Sequence, residues 1–486
     1  MNEIINDFFQ LGSLRILARI LMGLRGLYIV THLDPMTLGE YTVWLLFVFY
    51  ATLLDGGVLI GLERDLPHYR GSGEAAVHQK AADIGFSTFF SMNGLAAVLL
   101  VAVSLVFLKG PLLSVYLGLY LLCDKIYRAF DTSARIHFRY RENGIAELIS
   151  TALSFGLIVF LLPRFGAHYI FLGFIMGAAA ATVYLSRVVP LNFRWTWHPR
   201  ESVKYVLASI TLLVMASSME IFHATALTVL ALRWDRQTLG FFVFAFRIFQ
   251  ILLIIFPVLI QEVVRTRMYF WLARAKEEMN GFRHMILPLG FYGLVTAVIW
   301  IAGYCWVDWV VWRFVKYYIP SVHAVKLLVI ALLPLGITKI ASDYLCSRVH
   351  NKAKFVIFGW LSGIIVQAVC LYCFPIAPEN ILVTAPLIYL GATLWVYFLI
   401  VSVSFAGDGR WAGGICQSVI MLLPMAVAIG AIVGASQLTG WHPTGKFQDN
   451  ILPFIVSLLI FGAVITGMLA ALRRWGWIQP LLVKES

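Results

Sequence analysis

Charged residues are scarce in this sequence, and their scarcity excludes most classes of soluble protein. Asp, Glu, Lys and Arg make up 13% of the 486 residues, whereas soluble globular proteins carry about 25%. Hydrophobic residues make up 60%, and the mean hydropathy is +0.85. Such an apolar excess requires lipid as the surrounding solvent. Apolar runs recur along the whole chain, and each is near the roughly 20 residues that a helix needs to cross a bilayer.

The sequence also lacks the cysteine pattern of a disulfide framework. Its six cysteines lie mostly within apolar runs. Cys370 and Cys373 have redox-motif spacing, but they fall in a predicted membrane segment, where small packing residues are the simpler interpretation. Phosphate-binding glycine loops, Ser-His-Asp sets and zinc motifs are missing too. No predicted loop is long enough for a soluble catalytic domain. We therefore predict no catalytic residue, no metal site and no resident cofactor.

The apolar runs that are present predict an all-α polytopic membrane protein with about fourteen transmembrane helices. The predicted spans cover residues 11–33, 38–61, 82–108, 112–133, 144–163, 166–189, 204–231, 239–262, 284–307, 324–346, 354–374, 381–405, 412–436 and 451–472.

The distribution of basic residues supports this count and predicts an orientation. With both termini in the cytoplasm, the cytoplasmic connections hold 22 of the 37 Lys and Arg residues and the opposite side holds 8. That bias is the one expected of cytoplasmic loops. Most of the net charge of +12 is then explained by topology, and a nucleic-acid partner is unnecessary.

An internal repeat predicts that the chain contains a duplicated unit. Residues 34–41 read DPMTLGEY and residues 235–242 read DRQTLGFF, and each copy precedes a predicted span. Because six spans separate the copies, we expect two pseudo-symmetric six-helix bundles related by an axis along the membrane normal. The predicted domains are an N-terminal bundle at 1–200, a second bundle at 201–408, and two further helices with a cytoplasmic tail at 409–486.

These features together resemble a known family. An Arg-bearing first helix is followed by LDPMTLGEYTVW and, at the inner end of the second span, by LLDGGVLIGLERDLPHYRG. The Asp55-Gly56-Gly57 and Leu38-Gly39-x-Tyr41 pieces are the most recognisable. The chain resembles the polysaccharide exporters of the multidrug/oligosaccharidyl-lipid/polysaccharide (MOP) superfamily, specifically the Wzx-type polysaccharide or O-antigen flippases, over most of its length.

The resemblance implies a transporter rather than an enzyme. Its members move undecaprenyl-diphosphate-linked oligosaccharide from the cytoplasmic to the periplasmic leaflet of the bacterial inner membrane, by alternating access, for cell-surface polysaccharide biosynthesis. The implied partners are the lipid-linked oligosaccharide, the lipid bilayer, and a polysaccharide polymerase with other export-pathway proteins; we expect a monomer. Coupling to H+ or Na+ is left open.

Three alternatives remain at this point. Lipid II flippases of the same superfamily also have fourteen spans and a basic first helix. Multidrug/cation antiporters share the superfamily, but their cargo favours an acidic or neutral cavity. A membrane polysaccharide polymerase would need a long outer loop or paired carboxylates, and the outer connections have neither.

Three arginines in the first predicted span are the main candidates for substrate binding. Arg15, Arg19 and Arg25 form a basic stripe, although each charge costs about 2.5–3.5 kcal/mol at the bilayer centre. Arg15 lies near the cytoplasmic end, and snorkelling to lipid headgroups is its alternative role. We predict that Arg19 and Arg25 face a water-filled cavity. A guanidinium group stays charged and matches phosphate oxygens bidentately, so it would lower the barrier for a diphosphate.

The fourth predicted span carries a second group of charges. Asp124 and Arg128, and likewise Asp131 and Arg135, are four residues apart and can pair along one helix. Such a ladder would be structural, with Arg128 a further candidate for substrate binding. Lys125 is left over, and we predict that it is a cation of the lumen.

The second half supplies fewer intramembrane charges. Arg247 has no acid nearby on its own predicted helix, whereas Lys339 and Asp343 are spaced to pair. We predict substrate contacts from Arg247 and Lys339. Pro257 and Pro334 predict bends in the eighth and tenth spans.

Four acidic or titratable residues, together with Asp343, are candidates for gating or ion coupling. Glu220 and His223 are three residues apart in the seventh span, and hydrogen-bonded packing is their alternative role. Asp55 and Glu147 lie near the inner ends of the second and fifth spans, where they are expected to pair with basic loops. Asp55 alternatively caps a bend beside two glycines.

Overall fold

The structure is a computed structural model. It describes residues 2–71, 74–108, 110–137, 139–253, 286–346, 352–406, 411–440 and 446–474. Helices make up 91% of it, and the part described contains no strand. The predicted all-α architecture is therefore confirmed.

The first helices of the chain are α1 (Asn2–His32), α2 (Pro35–Leu53), α3 (Val58–Gly71), α4 (Ala75–Phe107), α5 (Pro111–Ile136), α6 (Tyr140–Phe165), α7 (Tyr169–Val188) and α8 (Pro199–Arg233). The later helices are α9, described over Arg236–Leu253, α10 (Ile286–Phe314), α11 (Val322–Ile330), α12 (Leu332–Leu345), α13 (Ala353–Cys373), α14 (Ile381–Ala406), α15 (Trp411–Thr439) and α16 (Ile451–Arg474). Short 3₁₀ turns at Lys316–Ser321, Pro378–Asn380 and Gln448–Asn450 join some of them.

Twelve helices in the described chain are long and apolar enough to cross a membrane, so the chain is a multi-pass membrane protein. Helices α1 and α5 are not among the twelve, although they have 31 and 26 residues. They correspond to the first and fourth predicted spans and carry most of the predicted intramembrane Lys and Arg residues. Helices α1 and α5 are long enough to cross a membrane, and with them the number of spans is the predicted fourteen. They are not among the twelve apolar segments because they carry polar groups that need water or partners.

The chain divides into two compact units, Met1–Thr228 and Val229–Ser486. The division falls inside α8, so this helix contributes to both units. The predicted boundaries at 200/201 and 408/409 remain predictions.

Each copy of the internal repeat begins a helix in the same way. Asp34 caps α2: its carboxylate accepts hydrogen bonds from the backbone N–H of Met36 and Thr37 at 3.0 and 3.1 Å and from the Thr37 hydroxyl at 2.6 Å. Asp235 caps α9 through the backbone N–H and hydroxyl of Thr238, at 2.6 and 3.0 Å. The Asp-x-x-Thr motif therefore provides the N-terminal cap of both α2 and α9.

A turn with left-handed backbone separates α2 from α3. Gly56 and Gly57 have φ angles of 62° and 74°, which side chains with a Cβ rarely adopt. A Cβ atom on Gly57 would also lie 2.7 Å from the Cβ of Leu213 and 2.9 Å from the carbonyl oxygen of Ser209, both on α8. Only glycine fits this turn, because the backbone of α8 packs directly against it.

The predicted bend in the tenth span is present as a break between α11 and α12 at Ala331. Pro334 follows three residues later, and its carbonyl oxygen accepts a hydrogen bond from the Thr338 hydroxyl at 2.6 Å. The other predicted bend, at Pro257, lies outside the described residues.

Candidate functional site

Helix α5 carries five of the charged residues of the first unit, and its faces differ in character. One face is apolar and exposed, with Leu112, Val115, Leu119 and Ile126. A second face packs inside the unit and includes Lys125. The third face carries Asp124, Arg128, Asp131 and Arg135, and it lies roughly opposite the exposed apolar face at about 100° per residue. The Arg128 side chain is 59% exposed. Since an exposed guanidinium is costly in hydrocarbon, this third face requires water.

The charges on this third face pair along the helix as predicted. Arg128 contacts Asp124 at 2.7 Å, and Arg135 contacts Asp131 at 2.6 Å, each at i,i+4 spacing. Arg135 also contacts Glu63 of α3 at 2.8 Å. The ladder is thus largely neutral in charge and joins α3 to α5. Glu63 was not predicted as a member, because it is far away in the sequence.

Lys125 forms a buried ion pair. Its Nζ lies 2.6 Å from Oδ2 of Asp55 and 3.1 Å from the carbonyl oxygen of Thr52. The two side chains are only 5% and 13% exposed. The expectation that Lys125 lacks an acidic partner is therefore wrong, as is the pairing of Asp55 with a basic loop. The partners are 70 residues apart, so no helical spacing could reveal them.

Asp55 has a second role, which the sequence did predict. Its Oδ1 accepts a hydrogen bond at 2.9 Å from the backbone N–H of Gly57, and so it caps the left-handed turn. One carboxylate therefore fixes the turn and holds α5 against the end of α2.

Arg25 lies within the first unit, about two turns before the end of α1. Its guanidinium donates a hydrogen bond of 2.5 Å to the Ser154 hydroxyl of α6 and lies 4.7 Å from the ring centre of Phe174 on α7. Tyr120 of α5 packs against the same Phe174 ring, with the two ring centres 5.4 Å apart. Among the described residues, no carboxylate pairs with Arg25. Its positive charge is held by neutral groups and by π faces, so it remains available to an anion.

The other two arginines of the predicted stripe lie on the same helix. Arg19 is half-buried. The backbone of Arg15 is part of α1, but its side chain lies outside what the structure describes. The prediction that these arginines bind substrate stays a prediction.

The candidates of the second unit lie on α9 and α12. Arg247 donates a hydrogen bond to Oε1 of Gln250 at 3.1 Å. Lys339 and Asp343 are both half-buried, one turn apart on α12. The roles of all three residues stay predictions.

The candidates for ion coupling differ in burial. On α8, Glu220 is exposed and His223 is buried, and on α6 Glu147 is half-buried. No group of three His, Cys, Asp or Glu side chains is placed to hold a metal ion within the described ranges.

A second buried ion pair was missed in the sequence. Lys326 of α11 lies 2.6 Å from Oδ2 of Asp308 on α10, and 4.5 Å from the ring centre of Tyr304. Lys326 is buried, at 8% exposure. Because Asp308 and Lys326 are on different helices, spacing gives no signal for the pair.

Comparison with known proteins identifies the fold. No protein-family profile matches the chain, and no curated protein sequence matches it. The structure of lipid II flippase MurJ in an inward closed conformation matches over 95% of this chain and 99% of that one, with a TM-score of 0.67 and 15% identity. An inward-facing multidrug resistance MATE family transporter of the MOP superfamily matches over 86% and 96%, with a TM-score of 0.54 and 14% identity. Its outward-facing conformation gives 0.53 at 14% identity.

These matches, with the twelve apolar helical segments, define an all-α polytopic membrane protein whose fold is similar to the folds of MurJ and of MATE transporters. MurJ and MATE transporters are the structures that it is similar to, and at these identities the likeness concerns the fold. The resemblance drawn from the Asp55-Gly56-Gly57 and Leu38-Gly39-x-Tyr41 pieces therefore predicted the fold correctly.

Proposed function

We propose that this protein is a flippase that moves undecaprenyl-diphosphate-linked oligosaccharide from the cytoplasmic to the periplasmic leaflet of a bacterial inner membrane. The observation that carries the proposal is Arg25, an arginine in a membrane helix whose described contacts are a serine hydroxyl and an aromatic ring. Maintaining an intramembrane charge without an acidic partner is costly, and such charges usually mark a substrate path.

The chemistry of the cargo explains why an arginine would be used. A diphosphate group cannot lose its water without compensation, and a guanidinium replaces part of that water with bidentate hydrogen bonds. Arg25, with Arg19 on the same helix, would bind the diphosphate while the polyprenyl tail stays in lipid. No covalent bond changes, so transport requires conformational change and no catalytic residue.

We rank the predicted substrate-binding cations by the partners that they have. Lys125 and Arg128 each have a carboxylate partner at 2.6 and 2.7 Å, so much of their charge is neutralised. We therefore assign the diphosphate to α1 first, while Arg247 and Lys339 stay predicted substrate contacts. Coupling to H+ or Na+ through Glu220 and His223 remains part of the proposal.

A second candidate is transport of lipid II. The match to MurJ, at a TM-score of 0.67 over 95% of the chain, supports it. Both cargoes share the polyprenyl diphosphate and differ in the sugar, so α1 would serve either. Multidrug transport, suggested by the MATE matches, fits a cationic cargo, and Arg25 would repel such a cargo.

The first test measures flipping in proteoliposomes. Labelled undecaprenyl-diphosphate-linked oligosaccharide is incorporated, and its leaflet is followed by protection from an impermeant reagent. We expect flipping by the unmodified protein, and loss of at least about 100-fold in Arg25→Gln, since hydrogen bonds to charged groups contribute about 1.5–3 kcal/mol each and Arg25 can make two. Arg25→Lys should retain part of the rate.

Arg164→Gln is the matched control. Arg164 is also an arginine over a phenylalanine ring, 3.8 Å from Phe160, but it lies in the last turn of α6. We expect its rate to be unchanged. Equal flipping by Arg25→Gln and Arg164→Gln would refute the role of Arg25. The same assay with lipid II, and with a labelled organic cation, separates the three cargo classes.

A further inference from the structure

A cleft in the first unit is lined by none of the residues that we propose to bind the cargo. Its volume is about 350 Å³, and it lies between α4, the beginning of α8, and the extended segment 189–198 that joins α7 to α8. Apolar groups dominate its walls, among them Met92, Trp197, Val206 and Leu207. A cleft of this character accepts an apolar chain.

Side-chain hydrogen bonds along the extended segment hold the cleft open. The backbone N–H of Arg194 donates to Asp83 at 2.7 Å, and that of Thr196 donates to the Ser87 hydroxyl at 3.0 Å. The Thr88 hydroxyl donates to the Ser202 hydroxyl at 2.7 Å and so joins α4 to α8. A segment without secondary structure is thereby fixed as a wall, and the cleft is preformed.

The cleft lies where both helices change from polar to apolar. Helix α4 carries no Asp, Glu, Lys or Arg after Asp83, and α8 carries none between Lys204 and Glu220. This change of character marks the level of the lipid headgroups. Trp195 and Trp197 are 61% and 72% exposed beside the cleft, as expected of aromatic residues at a membrane interface.

Basic side chains surround the same place. Arg194, Arg200 and Lys204 are exposed, and the positive-inside distribution predicts a cytoplasmic position for them. The neighbouring Glu201 forms an ion pair of 3.0 Å with Lys80, so its negative charge is already balanced. An apolar cleft with cationic residues at its rim complements an amphiphile that has an apolar chain and an anionic headgroup.

We propose that this cleft binds one anionic phospholipid of the cytoplasmic leaflet, with an acyl chain between α4 and α8 and the phosphate beside Arg200 and Lys204. The proposal goes beyond the transport function and does not depend on the identity of the cargo. It gives the first unit a lipid anchor at the point where the connection from α7 enters α8.

Native mass spectrometry of the purified full-length protein, titrated with phosphatidylglycerol or phosphatidylcholine, tests this assignment. We expect one tightly retained phosphatidylglycerol and weaker phosphatidylcholine binding. Arg200→Gln/Lys204→Gln should weaken phosphatidylglycerol binding about 30-fold, at roughly fivefold for each basic side chain near an anionic headgroup. Arg141→Gln/Arg187→Gln removes two other exposed arginines of the first unit and should leave the affinity unchanged.

A cleft-filling variant separates the acyl chain from the headgroup. Ser91→Phe should weaken phosphatidylglycerol binding while the basic rim is intact. Equal binding of the two phospholipids, or equal effects of the rim and control variants, would overturn the proposal. Displacement of phosphatidylglycerol by an equimolar amount of undecaprenyl phosphate would also overturn it, because the cleft would then belong to the polyprenyl tail of a cargo.

Discussion

At the residue scale, Lys125 and Asp55 form an ion pair that is shielded from solvent, with side chains 5% and 13% exposed. Removing one partner of such a pair leaves an uncompensated buried charge, which costs about 3–5 kcal/mol. We therefore expect Lys125→Met to lower the free energy of unfolding by about this amount. Thermal unfolding in detergent, followed by fluorescence-detected size-exclusion chromatography, measures the change.

Lys80→Met is the control for this prediction, since Lys80 forms an ion pair of similar length with Glu201 but is 64% exposed. Exposed pairs contribute about 0–1 kcal/mol, so this variant should unfold almost like the unmodified protein. Asp55→Asn/Lys125→Met removes both charges and keeps the cap on Gly57, and it should recover part of the stability. No recovery would show that the pair does not act through its charges.

Whether the partner of a charged residue could be predicted depended on how far apart the two residues lie in the sequence. The Asp124–Arg128 and Asp131–Arg135 pairs were predicted because helical spacing brings residues four apart onto one face. Lys125 with Asp55, and Arg25 with Ser154, are separated by 70 and 129 residues. Only the packing of different helices brings these groups together, so one sequence could nominate the charges but not choose their partners.

At the scale of elements, the repeated Asp-x-x-Thr motif makes a quantitative prediction. Asp34→Ala and Asp235→Ala each remove a helix cap, and each should cost about 1 kcal/mol of stability. In both helices the Asp carboxylate accepts hydrogen bonds from the backbone N–H and the hydroxyl of the Thr three residues later, so the losses should be similar. Thermal unfolding of both variants tests this, and a loss for only one of them would contradict the equivalence of the two caps.

The cap on α2 should also respond to pH. Burial alone raises the pKa of Asp34, but hydrogen bonds from the Thr37 hydroxyl and from the backbone N–H of Thr37 and Met36 outweigh it and lower the pKa. Its stabilisation is therefore full above the ordinary carboxyl pKa and is lost as the pH falls through the lowered value. Asp34→Asn should keep a cap and lose this contribution to the pH dependence, measured by unfolding midpoints between pH 7 and roughly pH 3.

The turn between α2 and α3 gives a matched pair of glycine variants. Gly57→Ala places a Cβ against the backbone of Ser209 and forces alanine to a φ of 74°, so it should destabilise the protein by at least about 1–2 kcal/mol. Gly94 lies within α4 with nothing within 4 Å of an added Cβ. Gly94→Ala should be neutral or stabilising by up to about 1 kcal/mol. Equal unfolding temperatures for the two variants would show that the turn is not sterically restricted.

On the scale of the whole molecule, composition and length predicted more than local motifs did. Sixty per cent hydrophobic residues and the recurrent apolar runs predicted the all-α membrane fold. The resemblance to the MOP superfamily predicted the structures that the chain matches. The sugar of the cargo cannot be predicted from the sequence in the same way. A sugar is recognised by a few side chains that are distant in the sequence, and these form no periodic pattern.

The orientation in the membrane is the last prediction, and it concerns the whole chain at once. If the excess of Lys and Arg determines topology, both termini are cytoplasmic, and single cysteines at Glu74 and Tyr317 should lie on opposite sides of the membrane. Both positions are exposed. In a background with the six native cysteines replaced, we expect an impermeant maleimide added to intact spheroplasts to label Tyr317→Cys. The same reagent should reach Glu74→Cys only after permeabilisation. The reverse pattern would place the 22 basic residues outside, and would reverse the direction of transport proposed for this protein.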